Sequence, residues 1–308
     1  MLHKALIAFL FFASNALSQK IILTNDDGWA VAQIRAQNDA LKAAGFNVVL
    51  SAPAENQSGT GSSTATPKTL TQPCQFNTCP TGSPAEGSDA NDPRLNYVNS
   101  FPVDAVRFGI QTLAPEFFGS KPDFVVSGPN VGTNLGSGIT GSGTVNGASS
   151  GAACESALEG IPSTAFSATS NSQVSFTTLT TSPNSAATLA ALLYAQLTTT
   201  FTKALVSPAS RPILPPNITL NVNFPSTSGC SNASQFKFVL TRLISDSSAT
   251  DVQTCDTTHL PVETTVVHSS GCFVSVSVID ARTKKDVDAS TQAFVLNRIG
   301  GLLSCFTS

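Results

Sequence analysis

The stretch that most constrains this chain is Ile21-Ile22-Leu23-Thr24-Asn25-Asp26-Asp27-Gly28. Its three apolar residues and Thr24 read as a short buried strand, and Gly28 marks a sharp exit from it. Val31, Ile34, Leu41 and Ala44 then recur at helical spacing, and Gly45 stands where a helix end favours glycine. Val48-Val49-Leu50 reads as a second buried strand. Strand, helix, strand within about thirty residues is a βαβ unit, which favours a parallel sheet. Two adjacent carboxylates at the carboxyl end of the first strand sit where open α/β sheets hold their ligands. Like charges that close repel, and a hard divalent cation with oxygen ligands is the usual compensation. The plainer alternative is that Asn25 and Asp26 cap a helix starting near Ala30.

Periodicity is lost over residues 53–100, where glycines and prolines replace apolar repeats, so this region reads as a long loop. It opens with Ala52-Pro53-Ala54-Glu55-Asn56-Gln57-Ser58-Gly59, which places Ser58 near the same rim as Asp26 and Asp27. Pro102 suits a first helical turn, and Val103, Val106, Ile110 and Leu113 form an apolar stripe. Asp104, near that helix start, is favoured by the macrodipole alone. Phe124-Val125-Val126 is a third buried strand. It leads into Ser127-Gly128-Pro129-Asn130-Val131-Gly132-Thr133-Asn134-Leu135-Gly136 and then Gly141-Ser142-Gly143-Thr144-Val145. Glycines let backbone amides approach a ligand, and Ser142, Gly143 and Thr144 resemble a phosphate cradle opening a small-residue helix that runs to about Glu159. Neither a Walker loop nor a dinucleotide glycine fingerprint is present.

Further on, a strand is expected over 161–167 and a helix over 184–201. Ile218, Leu220, Val222 and Phe224 alternate with polar residues, which reads as a half-exposed strand. Phe236 to Leu240 and Val274 to Val278 alternate likewise, so the C-terminal region leans towards antiparallel strands and ends in a helix over 289–303.

The chain has 308 residues, 11% of them charged, and a net charge of −3, with no basic excess to suit polymeric nucleic acid or an anionic membrane. Residues 1–18 have a basic start, an apolar run and small residues before Gln19, the pattern of a cleaved signal peptide. No later segment reads as apolar enough to span a bilayer, so the mature protein is expected to be secreted. Seven cysteines in an exported chain imply disulfides and one leftover thiol. Cys74 and Cys79 bracket a small loop and are expected to pair. Cys230, Cys255, Cys272 and Cys305 can pair in any of three ways, and Cys154 is the candidate buried thiol. Glycosylation sequons stand at Asn56, Asn217 and Asn232.

Taken together, Asn25-Asp26-Asp27-Gly28, Ala52-Pro53 with Ser58-Gly59, Pro102-Val103-Asp104, Ser127-Gly128-Pro129-Asn130 with Asn134-Leu135-Gly136, and Ser142-Gly143-Thr144-Val145 resemble the SurE family of metal-dependent phosphatases and nucleotidases. The match of order and spacing covers roughly residues 20–170, and the secreted form with its Cys74–Cys79 loop is similar to the fungal acid-phosphatase branch. The resemblance implies an α/β fold: a Rossmann-like three-layer core with a mostly parallel sheet over about 19–205, and a β-rich and helical extension over about 206–308 that the family uses to form homo-oligomers. It implies Asp26, Asp27, Ser58 and Asn130 as ligands of one divalent ion. This all-oxygen set suits Mg²⁺ or Mn²⁺ better than zinc. Asn134, Ser142, Gly143 and Thr144 would hold the phosphate. Gly141 departs from the family, which often has an aromatic residue there. A glycan at Asn56 would obstruct the site, so Asn56 is expected to be unmodified.

The expected activity is hydrolysis of a phosphomonoester, with nucleoside 5′- or 3′-monophosphates as the plausible substrates and Asp26 and Asp27 as the catalytic pair. The alternative is a secreted nucleotide- or metal-binding protein without turnover. A dinucleotide oxidoreductase is disfavoured by Asp-Asp-Gly at the first strand turn. His259 and His268 fall outside every motif and are read as surface or structural.

Overall fold

The computed structural model describes residues 18–136, 148–169 and 172–307. The signal-peptide pattern and the Ser142-Gly143-Thr144 cradle therefore lie outside the described residues. Strand β1 (Lys20–Thr24), helix α1 (Ala32–Ala43) and strand β2 (Asn47–Pro53) form the expected βαβ unit, with β1 and β2 parallel. On the other side, β1 pairs in parallel with β5 (Phe124–Val131), which continues in parallel to β6 (Ser163–Ala168) and β7 (Ile218–Phe224). The chain thus runs outwards from β1 in two directions, and the gap between β1 and β5 is the sheet's switch point.

Side-chain alternation along β1 divides the interior. Ile21 and Leu23 join a core with α1 and the long helix α6 (Ala186–Val206), whereas Ile22 joins a second core with α2 (Pro102–Phe108) and α4 (Ala148–Leu158). Helices therefore cover both faces, giving the three-layer α/β core. Helix α6 is long and apolar enough to cross a membrane by length and composition, contrary to the expectation that no such segment exists. Its Tyr194, Phe201 and Leu205 are buried; Tyr194 stacks on Phe224 of the sheet and Phe201 meets Phe166 edge to face.

Several expectations are corrected. The region 53–100 is not all loop: β3 (Glu86–Ser88) and β4 (Leu95–Val98) extend the sheet beyond β2, β4 in parallel and β3 against it. Strand β5 runs on through Ser127 to Val131, with an irregularity between Ser127 and Asn130 where Gly128 takes φ 113°. Gly128 cannot carry a side chain, because a Cβ would overlap the Phe166 carbonyl oxygen.

Strand β7 is not half-exposed; Thr219, Asn221 and Asn223 are as buried as their apolar neighbours. The C-terminal strands are mixed. β9 (Phe273–Asp280) is antiparallel to β7, β8 (Lys237–Thr241) is parallel to β9, and β10 (Lys285–Asp286) closes the edge before helix α8 (Ala289–Ile299). The disulfides are Cys74–Cys79, Cys230–Cys272 and Cys255–Cys305, with Cys154 the buried free thiol.

Candidate active site

The acidic pair sits on the turn that leaves β1. Asn25 closes this turn on itself: its Nδ2 donates to the Gly28 carbonyl and its Oδ1 accepts from the Gly28 N–H, at 3.0 and 3.2 Å. It does not cap α1, whose N-cap is Val31 without a side-chain bond. The capping alternative therefore fails, and the turn holds Asp26 and Asp27 at only 2% and 0% exposure. A Cβ at Gly28 would strike the Gln75 side chain, and Gln75 Nε2 donates to the Asp27 carbonyl at 2.7 Å. Gln75 lies inside the Cys74–Cys79 loop, so that disulfide supports the acidic turn from below.

Three strand ends converge on Asp27. From the end of β5, the Val131 N–H donates to Asp27 Oδ2 at 2.7 Å. From the loop after β2, Ser58 Oγ lies 3.4 Å from Oδ1. From the loop after β6, Gln173 Nε2 donates to the same Oδ1 at 2.5 Å. Gln173 is itself oriented by Asn56, whose Nδ2 donates to Gln173 Oε1 at 2.9 Å, while Asn56 Oδ1 accepts the Ser58 N–H. Burial first, and the Asp26 charge second, raise the Asp27 carboxyl well above the usual carboxylate range; these hydrogen bonds oppose the rise without cancelling it.

Next to this carboxylate, Asn130 is 7% exposed and donates through Nδ2 to the Gly132 carbonyl at 2.7 Å. That bond fixes the amide so that Oδ1 is buried with no hydrogen-bond partner among the described residues. Two adjacent buried carboxylates, a hydroxyl and an amide oxygen with no donor form a hard, oxygen-only set, and the groups acting most strongly on Asp27 include no cation. The residues fit a divalent ion such as Mg²⁺ or Mn²⁺. Among the described residues no group of three or more His, Cys, Asp or Glu side chains forms a separate cluster.

Asn134 is held beside this centre by a polar frame that sequence patterning missed. Its Nδ2 donates to Ser167 Oγ at 2.7 Å and its N–H to Asn223 Oδ1 at 2.8 Å; its carbonyl accepts from Asn221 and Asn223 Nδ2 at 2.9 and 3.0 Å. Two residues on, the Gly136 N–H donates to Glu263 Oε1 at 2.6 Å. Asparagine is depleted in strands, so two asparagines at a spacing of two within β7 were a readable sign of a buried polar task. Asp104 does more than favour its helix start: Oδ2 accepts from the Ala65 N–H at 2.9 Å and from Ser100 Oγ at 2.6 Å, pinning the loop beyond Ser58.

Fold and site together define a Rossmann-like α/β protein with an acidic, oxygen-lined centre at its switch point. The chain belongs to the SurE family: the family profile described as survival protein SurE matches residues 21–250. An acid phosphatase of Yarrowia lipolytica is 34% identical over 311 residues, spanning 90% of this chain and 84% of that protein. A 5′-nucleotidase SurE of Thermosynechococcus vestitus is 33% identical over 209 residues, 67% of this chain and 64% of that one. One of Methanococcoides burtonii is 36% identical over 116 residues, 38% of each. Among solved structures, the SurE protein from Aquifex aeolicus matches with a TM-score of 0.55 at 27% identity, covering 85% of this chain and 93% of that chain.

Proposed function

We propose that the chain is a secreted, metal-dependent phosphoric monoester hydrolase acting on small phosphomonoesters, with nucleoside 5′- or 3′-monophosphates as its substrate class. The observation that carries this is the convergence of Asp27, Ser58 and the Asn130–Val131 backbone from three parallel strands, with Asn130 Oδ1 buried and undonated. Family membership and the acid phosphatase relative support the reaction class. Three disulfides and the N-terminal apolar pattern support export. By the same family reasoning the mature chain forms a homo-oligomer through its C-terminal part, which light scattering tests.

Asp26, Asp27, Ser58 and Asn130 would hold the ion, which when bound polarises the phosphoryl group and acidifies water. The rest of the work falls to the chain. Asn134, with Ser142, Gly143 and Thr144, holds the phosphoryl oxygens and offsets charge developing on them through preorganised dipoles. Gln173 and the Val131 N–H fix the Asp27 carboxylate so that its oxygens need no reorganisation as the reaction proceeds. Water adds to phosphorus, the ester P–O bond breaks, and the products are inorganic phosphate and the free alcohol.

The test is phosphate release by the mature protein from an aryl phosphate and from a nucleoside monophosphate, with and without chelator, beside Asp26→Ala. Turnover that chelator and the substitution both abolish is expected. Retained metal binding with no release from any ester refutes catalysis and leaves a binding protein.

A further inference from the structure

The turn that carries Asn134 is fastened from the C-terminal part of the chain. Beyond the Asn221 and Asn223 bonds, its far end is taken by Glu263, the first residue of a one-turn helix, α7 (Glu263–Val267). Glu263 is 0% exposed, and its two carboxyl oxygens divide their partners. Oε1 accepts the Gly136 N–H at 2.6 Å, while Oε2 accepts Asn221 Nδ2 at 3.0 Å from β7 and Ser277 Oγ at 2.8 Å from β9. The Asn221 amide has no freedom to turn over, because both partners of its Nδ2, the Asn134 carbonyl and Glu263, are acceptors. Gly136 adds an independent sign of close docking. It has φ 57°, and a Cβ there would lie 2.9 Å from Thr264 Oγ1 of the same helix.

A carboxyl group buried this deeply is costly unless its oxygens are satisfied, and an ordinary core position would take an apolar side chain. The groups acting most strongly on Glu263 are its burial, its three donors and the Asp286 charge, and none is a cation. The family profile ends at residue 250, before Glu263 and Ser277. We infer that Glu263 is a positioning residue for Asn134, a carboxyl clamp joining the turn 134–136 to strands β7 and β9 and so setting where Asn134 meets the phosphoryl group. This rests on the phosphatase reading above.

The experiment compares wild type, Glu263→Ala and Glu263→Gln as full mature chains. Expected for Glu263→Ala is a rise of about tenfold in both KM for an aryl phosphate and Ki for inorganic phosphate, with a smaller fall in kcat. The Mn²⁺ concentration that half-stabilises the protein against heat stays unchanged. Glu263→Gln keeps a carbonyl oxygen for the Gly136 N–H but sets its NH2 against the Asn221 Nδ2 donor, so it recovers part of the loss. Amide hydrogen exchange over 132–136 rises in the alanine variant and less in the glutamine one. Exchange reads the clamp even where no ester is turned over, so an inactive wild type sinks the phosphatase reading and leaves the clamp to be judged by exchange. Should Glu263→Ala fail to fold, Glu263→Asp, one methylene too short to reach both sides, replaces it. Unchanged KM, Ki and exchange in the folded alanine or aspartate variant overturn the clamp. So does a parallel rise in KM and the Mn²⁺ midpoint, which is general loosening, or a glutamine variant no better than alanine.

Discussion

Glu263 also makes a prediction about stability that needs no substrate. Burial, opposed by the donors Gly136, Ser277 and Asn221 and reinforced by Asp286, lifts its carboxyl from the ordinary value of 4.5 to about 8. Below 4.5 the group is protonated whether the chain is folded or not, and it imposes no pH dependence. As pH rises from 4.5 to 8, the unfolded chain loses this proton while the folded chain keeps it, so folding stability falls across that window and levels off above it. The full drop is at most on the order of 5 kcal/mol, since each pH unit is worth about 1.4 kcal/mol. Glutamine at 263 has the same size and no proton to lose. Thermal melts of wild type and Glu263→Gln between pH 4.5 and 8.5, without added metal, should therefore diverge. The wild type loses on the order of 10 °C relative to the variant as pH rises. Asp27, whose carboxyl is also raised, contributes in the same direction to both proteins and cancels in the difference. Parallel curves would refute the argument, because they would mean that the carboxyl is already ionised, or already wet, in the folded protein.

Three shorter predictions follow from the site. Gln173→Ala removes the shorter of two hydrogen bonds to Asp27 Oδ1 and should weaken Mn²⁺ binding by about tenfold with little change in melting temperature, read by metal titration; unaltered affinity would show that Val131 and Ser58 suffice to orient the carboxylate. Gly128→Ala places a methyl group on the Phe166 carbonyl at φ 113° and should cost at least about 3 kcal/mol in denaturant unfolding, since neither backbone can yield without moving Asn130. Glycopeptide mapping of the secreted protein should find Asn232 modified and Asn56 bare. Asn232 caps its turn through Oδ1, whereas Asn56 uses Nδ2 to hold Gln173, and full occupancy at Asn56 in active protein would contradict this.

What the sequence revealed and what it hid divide along a physical line. The β1–α1–β2 unit and the end of β5 were legible because each couples an apolar run to a glycine or acidic turn within a few residues. Ser58 was placed on the rim of Asp26 and Asp27 because strands in a parallel sheet present their carboxyl ends to the same side, whereas Asn130 entered as a ligand only through the family resemblance. Gln173 was not legible: it sits in a loop with no periodicity, and its partner Asp27 is 146 positions away. Leu95-Asn96-Tyr97-Val98 was too short and too mixed to stand out as β4, and only its pairing with β2 and β3 makes it a strand. The misreading of β7 is the most instructive. A period of two reports that a strand has two different faces, but it does not say that the polar face meets water.

That polar face explains why the C-terminal part is integral to the site. Asn221 and Asn223 on β7 and Ser277 on β9 are spent on the turn that leaves β5 and on Glu263, which reaches the same turn from α7. Removing the strands would leave Asn134 without the acceptor for its N–H and without either donor to its carbonyl. The acidic pair, by contrast, is framed by Gln75, Ser58, Val131 and Gln173, all of them before residue 180. On the proposed function, metal affinity and phosphate affinity should therefore depend on different parts of the chain. Substitutions in β7, β9 and α7 should move KM and phosphate inhibition, and those around Gln75 and Gln173 the metal requirement. A mutant set in which the two always shifted together would show that the framework behaves as one unit and that the division is wrong.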